Sequence, residues 1–286
     1  TGIDFGAGVM TFTAGGDLTM STASGDLTGA GAFTLASVGN ISLSENLTTA
    51  GATVITADSD GNGAGDFSIN SSKTLSTGNN SLALTANDIT VSGSISSGTG
   101  STTIAVSDGG TIGLGGTSGN MTITGTELGN ITAGTLNIGN SSTGNITVDG
   151  ISAANSNNAT TVNLTTASAS SVSFSNNDST FNALTANGGS STSFGSGLTV
   201  ATDTGKLALD STSITSAGAL TLTGATGIDF GAGVVFTAGG DLAMSTTSND
   251  ISGTGAFTLT STGNISLTKN LTTAGATIIT ADSDGS

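Results

Sequence analysis

The feature that most constrains the fold is a long internal duplication. Residues 1–61 and residues 226–285 align with 48 identities, twelve mismatches and one gap, at an offset of 224 residues after the gap. Such self-similarity is typical of repeat architectures, in which equivalent segments stack on one another. Glu45 becomes Lys269 in the second copy, so this position is expected to face solvent. Three other exchanges stay apolar and are expected in a core: Met10 with Val235, Leu27 with Ile251, and Val54 with Ile278.

Short segments with alternating apolar and polar residues recur along the chain. An apolar residue at every second position indicates a half-buried β-strand and not a helix. Many segments follow Gly-Asn or Gly-Asp, residues that accept positive φ and let the chain turn a corner. No segment has apolar residues at helical spacing, so the chain is predicted to be all-β. The segments begin at Asp17, Ala32, Asn40, Asp66, Ser81, Asp88, Asn120, Asn145, Ser171, Lys206 and Ala219.

Two features favour a solenoid over a sandwich or an antiparallel barrel. Aromatic residues are only 3% of the chain, all of them Phe, so the usual aromatic anchors of such cores are scarce. A closed domain also gives no reason for a 224-residue near-copy, whereas a solenoid extends by adding turns. The absence of proline fits a backbone that is hydrogen-bonded almost everywhere. We therefore predict a right-handed parallel β-helix of short strands with Gly-Asn and Gly-Asp corners.

One continuous solenoid is expected over residues 1–286, with one repeat in 1–225 and the start of the next in 226–286. Turns of about 20–25 residues would place roughly 9–11 turns in each repeat. Neither end resembles a capping repeat, so the stack is expected to continue in both directions. The alternation places Thr34 and Ser42 outside and predicts these core residues: Phe33, Leu35, Ile41, Leu43, Phe67 and Ile69.

The repeat segments resemble a known class of proteins. The strings GGDLTMST, GNISLSENLTTAG and GALTLTGATG are similar to the repeat regions of filamentous-haemagglutinin-like adhesins and giant β-strand-repeat surface proteins of bacteria. The resemblance covers essentially the whole chain. It implies export, an extracellular rod at the cell surface, and adhesion or matrix formation. The secretion-recognition domain of the two-partner-secreted members is not recognisable here.

Composition excludes several function classes. A net charge of -16 disfavours nucleic acid and anionic membrane surfaces, and no apolar run approaches the roughly 20 residues of a membrane-spanning helix. The chain has no His or Cys, so the usual general base and the thiol nucleophile are missing. It also has no Arg and only three scattered lysines, whereas resemblance to polysaccharide lyases would require a basic residue at the site. Its acidic residues are dispersed, whereas glycoside hydrolases need two carboxylates at one bond. We expect no catalysis.

One segment matches the first half of a calcium-binding loop. Asp58, Asp60 and Asn62 have the D-x-D-x-[DN]-G spacing, and Asp66 stands at the ninth position. Closely spaced carboxylate and amide oxygens suit a hard cation such as Ca²⁺. The twelfth position is Ile69 and not the bidentate Glu, so a plain polar corner before the next strand is the alternative.

These observations predict a structural protein. The leading hypothesis is a repeat segment of an extracellular β-solenoid filament, sheath or cell-surface fibre. The alternative is the stalk of a secreted bacterial adhesin whose binding domain lies outside the segment. Identical subunits or repeats, stacked end to end or laterally, are the expected partners, together with a host or neighbouring-cell surface. No cofactor is expected besides calcium, and no membrane insertion.

Overall fold

The computed structural model describes residues 2–285 and is a parallel β-solenoid of about 13 turns. Strands make up 49% of the chain and helices 3%, so the all-β prediction is confirmed. Each turn carries up to three short strands. Each strand pairs in parallel with the equivalent strands of neighbouring turns, so the backbone hydrogen bonds run along the solenoid axis.

The elements are short and evenly spaced. The N-terminal part contains β1 (Ile3–Asp4), β2 (Met10–Ala14), β3 (Leu18–Met20), β4 (Leu27–Gly29), β5 (Phe33–Ser37), β6 (Ile41–Leu43), β7 (Leu47–Thr49), β8 (Thr53–Thr56), β9 (Phe67–Ile69), β10 (Thr74–Ser76), β11 (Leu82–Ala86), β12 (Ile89–Val91), β13 (Ser94–Ser96) and β14 (Ser101–Val106). The central part contains β15 (Ile112–Gly115), β16 (Met121–Ile123), α1 (Gly125–Gly129), β17 (Ile131–Ile138), β18 (Ile146–Asp149), α2 (Ala153–Ser156) and β19 (Ala159–Thr165). The C-terminal part contains β20 (Ser171–Phe174), β21 (Ser179–Phe181), β22 (Leu184–Asn187), β23 (Ser191–Phe194), β24 (Leu198–Thr202), β25 (Leu207–Leu209), β26 (Ser213–Ser216), β27 (Leu220–Gly224), β28 (Ile228–Phe230), β29 (Val234–Ala238), β30 (Leu242–Thr246), β31 (Ile251–Gly253), β32 (Phe257–Ser261), β33 (Ile265–Leu267), β34 (Leu271–Thr273) and β35 (Thr277–Thr280).

The strands form three walls around the core. Wall 1 contains β1, β4, β7, β10 and β13, then α1 and α2, then β21, β24, β27, β30 and β33. Wall 2 is one continuous ladder of β2, β5, β8, β11, β14, β17, β19, β22, β25, β28, β31 and β34. Wall 3 contains β3, β6, β9 and β12, followed by β16, β15, β18, β20, β23, β26, β29, β32 and β35.

One apolar core runs between the walls. The predicted core residues are 0–1% exposed, whereas Thr34 and Ser42 remain partly exposed, so the predicted register is confirmed. The alternation works because inward positions of successive turns pair directly, which buries each apolar side chain between two others. In wall 2 this inward series is Phe12, Leu35, Ile55, Leu84, Ile104, Ile138, Leu164, Ala186, Leu209 and Phe230.

The second copy of the repeat is displaced by one wall relative to the first. Strand β1 lies in wall 1 and its copy β28 in wall 2, while β2 lies in wall 2 and its copy β29 in wall 3. The third strand, β3, lies in wall 3, and its copy β30 returns to wall 1. The 224-residue repeat therefore contains nine and one third turns, or about 24 residues per turn, which is within the expected range.

Two short helices in wall 1 were not expected from the sequence. Strand β17 is eight residues long and pairs with both β13 and β14, so it covers two walls of the preceding turn, and α1 and α2 occupy the neighbouring positions. Thr124 caps α1 in a capping box with Glu127, whose Oε1 also accepts a hydrogen bond from the backbone N–H of Val91 at 3.1 Å. The Thr-x-x-Glu spacing was the available signal, but no apolar helical period accompanies it.

The register also relocates the one-residue gap between the copies. Met10 pairs with Phe33, and Val234 pairs with Phe257, the copy of Phe33. Met10 therefore corresponds to Val234 and not to Val235, and the unmatched residue is Val9, which is 76% exposed. The sequence alignment was wrong here because both Val234 and Val235 are apolar, and only one of them faces the core.

Candidate functional site

Asp58 is the buried residue of the predicted calcium loop, at the corner that follows β8. Its φ is +53°, and the residue is 1% exposed. Its Oδ1 accepts a hydrogen bond from the backbone N–H of Asn62 at 3.0 Å. Its Oδ2 accepts one from the N–H of Gly63 at 2.9 Å and one from the Ser107 hydroxyl at 2.5 Å. Because Ser107 follows β14, the carboxylate ties its own loop to a corner two turns further along the solenoid.

The pKa of Asp58 reflects this environment. Burial by itself raises the pKa, because it disfavours the charged carboxylate. The hydrogen bonds from Ser107, Gly63 and Asn62 outweigh that effect, and the pKa of Asp58 is lowered below its ordinary value of 3.8. The carboxylate is therefore ionised at neutral pH with its charge satisfied by three donors.

The other predicted ligands divide between two hydrogen-bonded groups. Asp60 Oδ2 accepts from Asn62 Nδ2 at 2.8 Å within the loop, whereas Asp66 Oδ1 accepts from Asn87 Nδ2 at 2.9 Å at the entrance to wall 3. Within residues 2–285 no three acidic side chains form a group that could hold a metal ion. Calcium binding by Asp58, Asp60, Asn62 and Asp66 stays a prediction, which calorimetric titration with an Asp58→Asn control would check.

A ladder of Asp and Asn side chains runs along the corner that precedes wall 3. Asp17 Oδ1 accepts from Asn40 N at 2.9 Å, and Asn40 Oδ1 accepts from Asp66 N at 2.9 Å. Asp66 Oδ1 then accepts from Asp88 N at 3.1 Å, and Asp88 Oδ1 accepts from Thr122 N at 2.8 Å. Each side chain thus satisfies a backbone donor of a neighbouring turn just where a strand begins. The Asp and Asn side chains of this ladder therefore have a structural role, which is to connect neighbouring turns.

The pKa of Asp88 is shifted in the opposite direction to that of Asp58. Burial raises the pKa of Asp88 above its ordinary value, and the nearby charges of Asp66 and Glu127 act in the same direction. Hydrogen bonds from the N–H groups of Thr122 and Ile89 oppose the rise without cancelling it. Sequence alone offered no reason to separate Asp88 from the other corner acids, because Asp66, Thr122 and Glu127 are distant from it in sequence and approach it only across neighbouring turns.

Close approach of turns explains the corner glycines better than positive φ does. A Cβ atom on Gly39 would lie 2.4 Å from Asp17 Oδ1, and one on Gly263 would lie 2.4 Å from Asp241 Oδ1. Neither glycine has a positive φ, so the sequence-based explanation was wrong at both positions. The explanation by positive φ does hold at Gly25, whose φ is +88°.

A shallow cleft of about 570 Å³ lies on the outer face of wall 2. Thr185 and Ala208 are among its lining residues, together with Lys206 and Asp229, whose Nζ and Oδ2 are 2.6 Å apart. The Ser252 hydroxyl also donates to Asp229 Oδ1 at 2.6 Å. The sequence placed its lysines as scattered residues, but the fold pairs this one with an acid one turn away. In the cleft, the charges of Lys206 and Asp229 neutralise each other, and the side chains beside them are small.

No family model, curated protein or solved structure matches this chain. Among residues 2–285, no helix has the length and apolar character needed to cross a membrane. The solenoid of about 13 turns is compatible with a repeat-type adhesin region. The repeat and the walls that it builds are therefore the basis for a functional proposal.

Proposed function

We propose that this chain is a structural repeat segment of an extracellular β-solenoid filament, sheath or cell-surface fibre, without a catalytic role. The observation that carries the proposal is the continuity between the two copies. Strand β28 opens the second copy and pairs with β25 in the same wall 2 that contains β2. A repeat of this kind can follow another without interrupting any wall, which is what a fibre assembled from repeats requires.

Rod length in such a protein scales with the number of turns. At about 4.8 Å per turn, 13 turns extend roughly 60 Å, and each further repeat of nine and one third turns would add about 45 Å. Each turn relies on its neighbours for burial, so added repeats lengthen the rod without requiring a new kind of core.

The proposed partners are identical chains stacked end to end or side by side, and the surface of a host or neighbouring cell. The net charge of -16 supports this choice over nucleic acid or an anionic membrane. The proposed extracellular location, and the bacterial origin that goes with it, rest on the resemblance of the repeat segments to surface adhesins.

Electron microscopy of the purified chain tests the proposal. Regular filaments are expected, and isolated rods of about 60 Å would favour the adhesin stalk instead. Compact particles would contradict both. A Leu209→Asp variant is the control, because Leu209 is fully buried and pairs with Phe230 at the junction between the copies. It should abolish the filaments, since a buried charge interrupts the core there.

A further inference from the structure

The backbone ladder of wall 3 is interrupted between β12 and β16. Strand β12 ends a four-stranded sheet with β9, β6 and β3, and β16 begins the nine-stranded sheet that continues to β35. In the part of the chain that the structure describes, β12 pairs only with β9, and β16 pairs only with β15. We call this break in wall 3 the seam.

Side chains join the two strand edges that face each other across the seam. Asp88 Oδ1 accepts a hydrogen bond from the backbone N–H of Ile89 in β12 at 2.9 Å. The same oxygen accepts one from the N–H of Thr122 in β16 at 2.8 Å. One carboxylate therefore holds a backbone donor from each strand.

Glu127 of α1 makes the same kind of connection. Its Oε1 accepts from the N–H of Val91 in β12 at 3.1 Å, and its Oε2 accepts from the N–H of Thr124, which follows β16, at 2.9 Å. Asn130 Nδ2 donates to the carbonyl oxygen of Val91 at 2.9 Å. We call Asp88, Glu127 and Asn130 the clasp, because their side chains replace the backbone ladder at the seam.

The other two walls are continuous at the level of the seam. Strands β10 and β13 of wall 1 pair at three positions, and β11 and β14 of wall 2 pair at five. Wall 3 also contains an additional strand here. Both β16 and β15 lie between β12 and β18, whereas only β14 lies between β11 and β17 in wall 2. The seam is therefore a discontinuity on one side of the rod.

The clasp resists separation of the strands less than a backbone ladder does. Asp88 and Glu127 are both partly exposed, so water can replace their hydrogen bonds. Their side-chain torsions can change between staggered positions, which lets the carboxylates follow a moving strand. The charges of Asp66 and Glu127 also act on Asp88, and like charges repel one another. A strand separation that would break a backbone ladder can thus occur here at lower free-energy cost.

Apolar packing closes the seam in the described structure. Val91 of β12 and the β16 residues Met121 and Ile123 are 0–1% exposed. Opening would expose part of these side chains to water, which favours return to the closed state. The closed seam is therefore a stable state from which a reversible opening can start.

We propose that the seam is a hinge, at which wall 3 opens between β12 and β16 while walls 1 and 2 stay paired. The rod then bends towards the corner between walls 1 and 2. Elsewhere in wall 3 the strands from β3 to β12 and from β16 to β35 are joined by backbone pairing, so each part moves as a unit.

The recurrence of this hinge rests on the proposed fibre function. A fibre assembled from 224-residue repeats would contain one such hinge in each repeat. Because the second copy is displaced by one wall, the hinge of each following repeat would open in the next wall. Such a fibre would bend in three directions and not in one plane.

Amide hydrogen exchange, followed by NMR, tests the hinge in the isolated chain. Val91 and Thr122 donate to the clasp, whereas Ile69 in β9 and Thr147 in β18 belong to strands that are paired on both sides. The Val91 and Thr122 amides should exchange at least about tenfold faster than those of Ile69 and Thr147. Equal rates at the four positions would overturn the hinge.

Variants of Glu127 test the clasp itself. Glu127→Ala should raise the exchange rate of Val91 by about tenfold, while Glu127→Gln keeps an acceptor oxygen and should stay near the wild type. Asn145→Ala is the matched control, because Asn145 Oδ1 accepts from the N–H of Ser171 where the ladder of β18 and β20 is continuous. It should change the exchange of Thr147 by about twofold or less. Equal local effects of Glu127→Ala and Asn145→Ala would contradict the role of the clasp.

Distances between paired spin labels measure the bending, since the chain has no cysteine of its own. Ser42→Cys with Thr147→Cys spans the seam on the outer face of wall 3. Thr147→Cys with Thr260→Cys spans the same number of strands, about 24 Å, along a continuous ladder. The distance distribution across the seam should be about twofold wider. Equal widths would overturn the hinge and leave the proposed fibre as it stands, because none of these measurements requires filaments.

Discussion

The two copies of the repeat place nearly the same sequence in two environments. Residues 47–56 and 271–280 differ only at Val54 and Ile278, yet Ile55 is fully buried and its copy Ile279 is 48% exposed. The reverse holds at the start of the copies, where Ile3 is 43% exposed and Ile228 is fully buried. Burial in this fold therefore requires a neighbouring turn on each side as well as an inward position in the strand.

The local geometry, in contrast, is reproduced in both copies. Three phenylalanines cluster in the first copy, where the ring centroid of Phe5 lies 5.3 Å from those of Phe12 and Phe33. Their copies cluster again around Phe230, which lies 6.2 Å from Phe236 and 4.8 Å from Phe257. The second cluster faces different walls, because the repeat contains an extra third of a turn. The packing of the three phenylalanines is thus determined by the local sequence. The wall that the cluster faces is determined by the number of turns in the repeat.

The largest expected effect comes from truncating the phenylalanine that starts each cluster. Phe230→Ala should cost about 3–5 kcal/mol, since Phe230 is 1% exposed and has a turn on each side. Phe5→Ala should cost only about 1–2 kcal/mol, because Phe5 is already partly exposed. Urea unfolding of the two variants measures the difference. Equal losses would mean that neighbouring turns do not determine burial energy.

A smaller effect is expected at the corner acids. Asp58 and its copy Asp282 share a positive φ, 53° and 51°, and equivalent backbone hydrogen bonds to Gly39 and Gly263. Asp58→Asn should destabilise by about 1–3 kcal/mol, because an amide cannot accept from all three donors of the carboxylate. Asp282→Asn should change stability by about 0.5 kcal/mol or less, since Asp282 is exposed.

Stability measurements at acidic pH test the role of the Asp58 carboxylate further. The folded pKa of Asp58 lies below its ordinary value of 3.8, so the ionised carboxylate stabilises the fold above that pH. This contribution is lost as the pH falls through the lowered pKa. The stability difference between wild type and Asp58→Asn should therefore shrink only below pH 3.8. If the stability difference between wild type and Asp58→Asn stayed constant at every acidic pH, the destabilisation would not be due to loss of the Asp58 charge.

The sequence predicted the fold class and the core because both depend on a local pattern. Phe33 and Ile41 face inward for the same reason that Thr34 and Ser42 do not: side chains alternate along a strand. Asp58 could not be assigned in this way, because its decisive partner Ser107 comes from two turns further along. The displacement of the second copy by one wall was equally hidden, since it depends on the exact number of turns in the repeat, and turns cannot be counted from an apolar period around β17 and the two helices.

Reversing the charge at position 45 is the smallest test of the two copies. Lys73 Nζ lies 2.6 Å from Glu45 Oε2 in the first copy, and both side chains are partly exposed. Glu45→Lys copies the residue of the second repeat and should cost about 0.5–1 kcal/mol, because two cations then face each other across adjacent turns. The reverse change, Lys269→Glu, should alter stability by about 0.3 kcal/mol or less, as Lys269 is exposed.

A double variant isolates the charge pair from other effects of the change. Glu45→Lys together with Lys73→Glu restores opposite charges at the same two positions and should recover most of the loss. Thermal unfolding at low and high salt measures the wild type, the single variants Glu45→Lys and Lys73→Glu, and the double variant. The loss in Glu45→Lys should shrink with salt because the pair is only partly buried. If the double variant is no more stable than Glu45→Lys, the cost comes from packing of the Glu45 side chain. The tolerance of Lys269 in the second copy would then be due to its exposure.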